Sequence, residues 1–183
     1  MKTDKKTILL VGGSLGARTI NESVLQHLDD IRNSDVQFIW QTGKYYSAYI
    51  AEQLAQKGCP ENLVVSDFIA DMGAAYRAAD LVISRAGASS ISEFCLIGKA
   101  VILVPSPNVA EDHQTKNAMA LVNNHAALYV KDAEASEKLI PLALESVNNA
   151  SLLKSLSENV VKMGYPDSAK VIAKEVLKLA GAE

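Results

Sequence analysis

The sequence predicts an α/β fold: a Rossmann-like, doubly wound parallel sheet of about six strands, with helices on both faces. Three observations carry this. Short β-rich runs alternate with longer stretches of helical period as far as Val130. The apolar runs Ile8-Leu9-Leu10-Val11 and Ala100-Val101-Ile102-Leu103-Val104 suit strands buried on both faces, and fall well short of the ~20 residues that span a bilayer. After Glu134 no strand pattern remains, only helical periods. Alternation of this kind places right-handed crossover helices on both faces of one sheet.

The elements follow in order. Thr7–Val11 reads as the first strand and runs into Gly-Gly-Ser-Leu-Gly. Ala17–Ile31 then repeats apolar residues at Ile20, Val24, Leu28 and Ile31, a helical spacing. Val36–Trp40 is the second strand, and Tyr45–Lys57 a helix stopped by Gly58. Leu63–Phe68 is the third strand, and Asp71–Ala79 a short helix whose acidic start suits the helix dipole. Leu81–Ser84, the helix Ser90–Ile97, the strand Val101–Val104, the helix Glu111–Asn124 and the strand Ala127–Val130 complete the alternation. Three helices close the chain, near Ser136–Val147, Ser151–Met163 and Ser168–Leu179; Gly164-Tyr165-Pro166 separates the last two.

The 183 residues suit one domain with its own core, since domains usually hold ~100–200 residues. Lys and Arg total 18 against 21 acidic residues, a formal net charge of −3. A nucleic-acid surface needs a basic face to displace counterions, so no nucleic-acid partner is expected. Two cysteines, Cys59 and Cys95, build neither a disulfide scaffold nor a four-cysteine zinc site, and read as reduced thiols. The N-terminal MKTDKK leads straight into a strand pattern without a signal-peptide core, so a cytoplasmic location is expected.

In a doubly wound sheet, ligands bind beyond the carboxyl ends of the strands. Four loops there carry unusual residues. The first is Gly12-Gly13-Ser14-Leu15-Gly16-Ala17. Its glycines let backbone approach a ligand, and the next helix offers free N–H groups to a phosphate. It lacks the Gly-Lys-Ser/Thr of a P-loop. It also lacks the acidic residue that ends strand two in dinucleotide-binding domains; Gln41-Thr42-Gly43 stands there instead. A tight strand-to-helix turn needs the same small residues. The loop also matches the G-x-S-x-G elbow of serine hydrolases, with Ser14 as nucleophile and Asp80 and His113 following in chain order.

The second loop, Ser84 to Glu93, enters a helix at Gly87-Ala88-Ser89-Ser90. Hydroxyls and bare amides there can hold an anion, and Glu93 can accept from a ribose diol. Ser90-x-x-Glu93 equally fits a capping box that needs no ligand. The third, Pro105 to Asn117, can present His113, Gln114 and Asn117 to a hydroxyl-rich ligand. It also fits a solvated loop in which Glu111 and Asp112 form an acidic first turn. The fourth, Phe68-Ile69-Ala70-Asp71-Met72, can hold a flat base, or serve as staple and cap for the next helix. The three histidines, His27, His113 and His125, have no metal-ligand spacing, and His27 and His125 read as ordinary surface helix residues.

Taken together, the strings GGSLGARTIN, FIADM, SRAGASSISE and GKAVILVPSPNVAEDHQTKNA, with the terminal helices, resemble one family from Lys6 to about Leu179. It is the MurG family, N-acetylglucosaminyltransferases of peptidoglycan synthesis, and the likeness is to its C-terminal half. The resemblance implies one half of a GT-B enzyme, with residues 1–183 as the UDP-sugar donor-binding domain and the N-terminal acceptor domain lying outside this chain. It implies Ser14 beside the donor diphosphate, Ile69 meeting uracil with its backbone, and Met72 lining that pocket. Ala88, Ser89 and Ser90 would form the helix entry that holds phosphate and nucleoside, with Gly87, Ile91 and Ser92 also among the substrate-binding residues. Glu93 would take the ribose hydroxyls, and His113 and Gln114 those of N-acetylglucosamine.

The partners implied are UDP-N-acetylglucosamine and, through the other domain, a lipid-linked acceptor at the cytoplasmic face of the inner membrane. The general base is expected on that other domain. No D-x-D motif occurs, so no metal cofactor is expected. The last helix carries Lys170, Lys174 and Lys178 on one side and Val171, Ile172, Val176 and Leu179 on the other, so self-association through that apolar side is expected. Two readings stand beside the transferase: the serine hydrolase, and a nucleotide-binding module without catalysis.

Overall fold

The computed structural model describes residues 2–181. Strands β1 (Thr7–Val11), β2 (Gln37–Gln41), β3 (Leu63–Ser66), β4 (Leu81–Ser84), β5 (Val101–Leu103) and β6 (Leu128–Tyr129) form one sheet in the order β3-β2-β1-β4-β5-β6. Every pairing is parallel. The doubly wound α/β fold expected from the sequence is the one observed. The strand order reverses between β1 and β4, the switch point beside which ligands bind in doubly wound sheets.

The helices are α1 (Arg18–Gln26), α2 (Leu28–Asn33), α3 (Ser47–Lys57), α4 (Met72–Ala78), α5 (Ala88–Ile97), α6 (His113–Val122), α7 (Ala135–Val147), α8 (Ala150–Val161) and α9 (Ser168–Leu179). All five residues of β1 are buried, and its pleat divides them. Ile8 and Leu10 join one core with Ile20, Val24, Ile50, Leu139 and Ile140, from α1, α3 and α7. Leu9 and Val11 join the other with Ala75, Phe94, Cys95, Ala118 and Leu121, from α4, α5 and α6. Near the amino edge, α8 contributes Leu156 to the first core and Val160 to the second, and Ser157 donates to the carbonyl of Gly98 ahead of β5. Every residue of α9 is exposed.

Several local expectations are corrected. The long first helix is broken at His27 (φ −109°, ψ 27°), dividing α1 from α2. The imidazole explains the break: Nδ1 lies 2.6 Å from Asp30 Oδ2, and Nε2 lies 3.0 Å from the Ser136 carbonyl on α7. His27 is thus a half-buried junction, not an ordinary surface helix residue. His125 stands past the end of α6 with φ 53°. Glu111 and Asp112 do not form an acidic first turn. They hold left-handed conformations (φ 51° and 54°) in a single 3-10 turn, Ala110–Asp112, ahead of α6. Strand β3 stops at Ser66, where the Ser66 hydroxyl donates to the Phe68 carbonyl at 2.7 Å and turns the chain.

Candidate functional site

The carboxyl ends of β1, β3, β4 and β5 deliver four loops to one edge, and buried or part-buried polar side chains fix them. The first loop leaves β1 at Val11. Gly13 (φ 83°) and Gly16 (φ 89°) turn it back, closed by the Gly16 N–H on the Gly13 carbonyl at 3.0 Å. A Cβ on Gly16 would lie 2.1 Å from the Thr42 carbonyl oxygen, so the loop after β2 presses directly on it. Asn21, buried on α1, donates to that same carbonyl at 2.9 Å and accepts from the Trp40 indole N–H at 2.9 Å. Ala17, the N-cap of α1, supplies no side-chain cap, so the first-turn N–H groups of the helix are unpaired within it. Ser14 is exposed on this loop.

The second loop joins β4 to α5. The helix starts at Ala88, two residues before the sequence pattern placed it. Gly87 is its N-cap and supplies no side-chain bond. Ser90 therefore lies inside the first turn, and Glu93 too far along to reach back to it. The capping-box reading is overturned. Glu93 instead accepts from the Tyr76 hydroxyl of α4 at 3.0 Å. Burial, and then the Glu93 carboxylate, raise the Tyr76 phenol well above its ordinary value, so it stays protonated and donates. The first-turn amides of α5 are left free for an anion, with Ala88, Ser89 and Ser90 around them.

Ile91 and Ser92 share with Ala88 a groove of about 460 Å³ between α5, α6 and the segment Met163 to Ser168, and the Ser92 hydroxyl donates to the Ala88 carbonyl at 3.0 Å.

The third loop runs from β5 to α6. Its Gln114 Oε1 accepts from Ala86 N–H at 3.2 Å and from Ser106 N–H at 2.9 Å. Asn117 Nδ2 donates to the Ala86 carbonyl at 3.1 Å. Both backbone groups of Ala86 are thus held by α6. Gln114 keeps only its Nε2 hydrogens for a ligand. His113 is exposed at the start of α6, with Nε2 3.8 Å from the Glu111 carboxylate. In the fourth loop Asp71 caps α4 through Ala74 N–H at 2.8 Å, as the cap reading expected. Met72 packs on the second core, and the Ile69 N–H is taken by Gln41 Oε1 at 3.0 Å.

The hydrolase reading does not survive this geometry. Asp80 lies at the opposite, amino edge of the sheet, accepting from Thr7 N–H at 2.9 Å and Lys6 Nζ at 2.8 Å. It orients no histidine for Ser14. Sequence reasoning missed residues that shape the edge, among them Asn21, Gln41, Tyr76, Arg85 and Asp132. Gln41 had a signal, as a glutamine closing a buried strand. The Arg85–Asp132 ion pair joins residues far apart in the chain and had none.

The chain matches the glycosyltransferase family 28 C-terminal domain over residues 7–172. It is 65% identical to a Bacteroides fragilis UDP-N-acetylglucosamine–N-acetylmuramyl-(pentapeptide) pyrophosphoryl-undecaprenol N-acetylglucosamine transferase, over 98% of this chain and 48% of that protein. The protein of that name from Bacteroides thetaiotaomicron is 62% identical, over 100% of this chain and 50% of its own length. The crystal structure of MurG from Acinetobacter baumannii superimposes with a TM-score of 0.81 at 28% identity, covering 96% of this chain and 52% of that one. The chain spans about half the length of the curated relatives it matches. It belongs to the glycosyltransferase family 28 C-terminal domain family.

Proposed function

We propose that this chain is the donor-binding domain of an inverting transferase that moves N-acetylglucosamine from UDP-N-acetylglucosamine to a lipid-linked N-acetylmuramyl-pentapeptide acceptor in peptidoglycan synthesis. The observation that carries the reading is the uncapped start of α5 beside Glu93, which Tyr76 orients. The names of the relatives at 62–65% identity supply the substrate classes. The amides of α5 and the loop around Ser14 meet the diphosphate, the Ile69 backbone and Met72 the uracil, Glu93 the ribose, and His113 and Gln114 the sugar. The acceptor hydroxyl attacks the anomeric carbon, the bond to the β-phosphate oxygen breaks with inversion, and UDP leaves. Helix-terminal amides stabilise the charge that develops on UDP, in the manner of preorganised donors elsewhere. The general base belongs to the acceptor domain, so this chain alone binds the donor without turning it over. The location that fits is the cytoplasmic face of the inner membrane. Among the described residues no helix is long and apolar enough to cross it.

Calorimetry with UDP and UDP-N-acetylglucosamine tests the reading. Saturable binding of both is expected. Glu93→Ala should weaken it by roughly 1–3 kcal/mol, because the ribose donors lose their acceptor. A folded sample that binds neither at millimolar concentration would refute the assignment.

The apolar face of α9, with Val171, Ile172, Val176 and Leu179 all exposed, is proposed to pair with a second copy when this chain stands alone. Sedimentation should then show a concentration-dependent dimer, and a strict monomer would dismiss it.

A further inference from the structure

Gln41 closes β2 and is 3% exposed. Burying a carboxamide is costly unless both its ends are paired, and here both are. Nε2 donates to the Gly13 carbonyl at 3.1 Å, and Oε1 accepts from the Ile69 N–H at 3.0 Å. The partners fix the orientation, since Gly13 offers a carbonyl and Ile69 an N–H. The Gly13 carbonyl also closes the glycine turn through Gly16 N–H, so the carboxamide grips that turn at its closing bond. Among the described residues no hydrogen bond joins the loop after β1 directly to the loop after β3, and only Gln41 bonds to both.

We propose that Gln41 is a positioning residue of the nucleotide donor site. It ties the diphosphate loop to the base loop. By occupying the Ile69 N–H, it also leaves the Ile69 carbonyl as the backbone group that reads the base. This rests on the donor-site reading above. A carbonyl accepts from the N3–H of uracil, whereas N3 of cytosine carries a lone pair and repels it. An acidic residue at this position, as in dinucleotide-binding domains, could hold Ile69 but could not donate to Gly13, and would set a negative charge beside the diphosphate.

Calorimetry on the 183-residue chain with UDP, CDP and uridine separates the effects. The unsubstituted chain should prefer UDP to CDP; no UDP binding at all would count against the donor-site reading itself. Gln41→Met keeps the bulk and removes both bonds. UDP affinity should fall about tenfold, the scale of one or two lost hydrogen bonds. The UDP-to-CDP preference should narrow, because the freed Ile69 N–H can now donate to cytosine N3. Gln41→Glu keeps the bond to Ile69 and loses the one to Gly13. It should retain the base preference while losing more affinity for UDP than for uridine. Unchanged UDP affinity or an unchanged UDP-to-CDP ratio in a folded Gln41→Met chain overturns the proposal. Where neither variant folds, amide spectra of the unsubstituted chain decide. Uridine alone should shift Gly13 and Ser14 together with Ile69, and a response confined to Ile69 overturns the coupling.

Discussion

Replacing Asp132 by Ala is expected to destabilise the chain by roughly 3 kcal/mol, the low end for breaking a buried ion pair. The Arg85 guanidinium pairs with Asp132 Oδ1, and each side chain is 17% exposed. The same guanidinium donates to the Val104 carbonyl at 3.0 Å, the Pro105 carbonyl at 3.2 Å and the Thr19 hydroxyl at 3.0 Å. Thr19 in turn donates to Asp132. One arginine thus binds the carboxyl ends of β4 and β5, the first turn of α1 and the turn ahead of α7. Removing Asp132 leaves a largely buried cation with carbonyls but no counter-charge, and water reaches too little of it to restore the loss. Chemical denaturation measures the effect. Asp132→Leu combined with Arg85→Met removes both charges and should recover part of the stability, because an apolar replacement of the pair costs less than half a pair. A loss below about 1 kcal/mol in the single variant would place the pair among surface ion pairs. On the proposed function, UDP affinity should fall with stability, since the loop carrying Gly87 begins at Arg85.

What was legible in the sequence is what local spacing encodes. Strand runs, helical periods and the glycine stops at Gly58 and Gly98 each depend on near neighbours, and the fold class followed from them. The break at His27 did not, because it depends on Ser136, on a helix far along the chain. The start of α5 was misplaced for a related reason. Ser90 and Glu93 have the spacing of a capping box, but Glu93 finds its partner on α4, and the helix is free to begin at Ala88. Likewise Gln114 read as a sugar-facing side chain, yet its carbonyl end is committed to two backbone amides on separate loops. Polar residues at the edge were recognisable as a group. Which of them hold the loops and which remain for the ligand is a matter of tertiary pairing.

Gly43→Ala should cost roughly 2–5 kcal/mol, combining about 1–2 for a left-handed alanine with about 1–3 for overpacking. Gly43 has φ 81°, and a Cβ there would stand 2.1 Å from Gly16 N and 2.3 Å from Gly16 Cα. Both obstacles are backbone, so no rotamer change relieves them. Gly16 faces the reciprocal clash with Thr42, and the loops after β1 and β2 can touch only because neither carries a side chain at the contact. Gly13 supplies the control. Its φ is 83°, but a Cβ there meets nothing within 4 Å, so Gly13→Ala bears the conformational cost alone, about 1–2 kcal/mol. The difference between the two variants isolates the steric term. Gly43→Ala should also displace the Ser14 loop and weaken UDP binding beyond what Gly13→Ala does. Equal losses in the two variants would mean that the loop gives way at no cost, and that the close approach of Gly16 and Gly43 does not set the shape of the proposed diphosphate site.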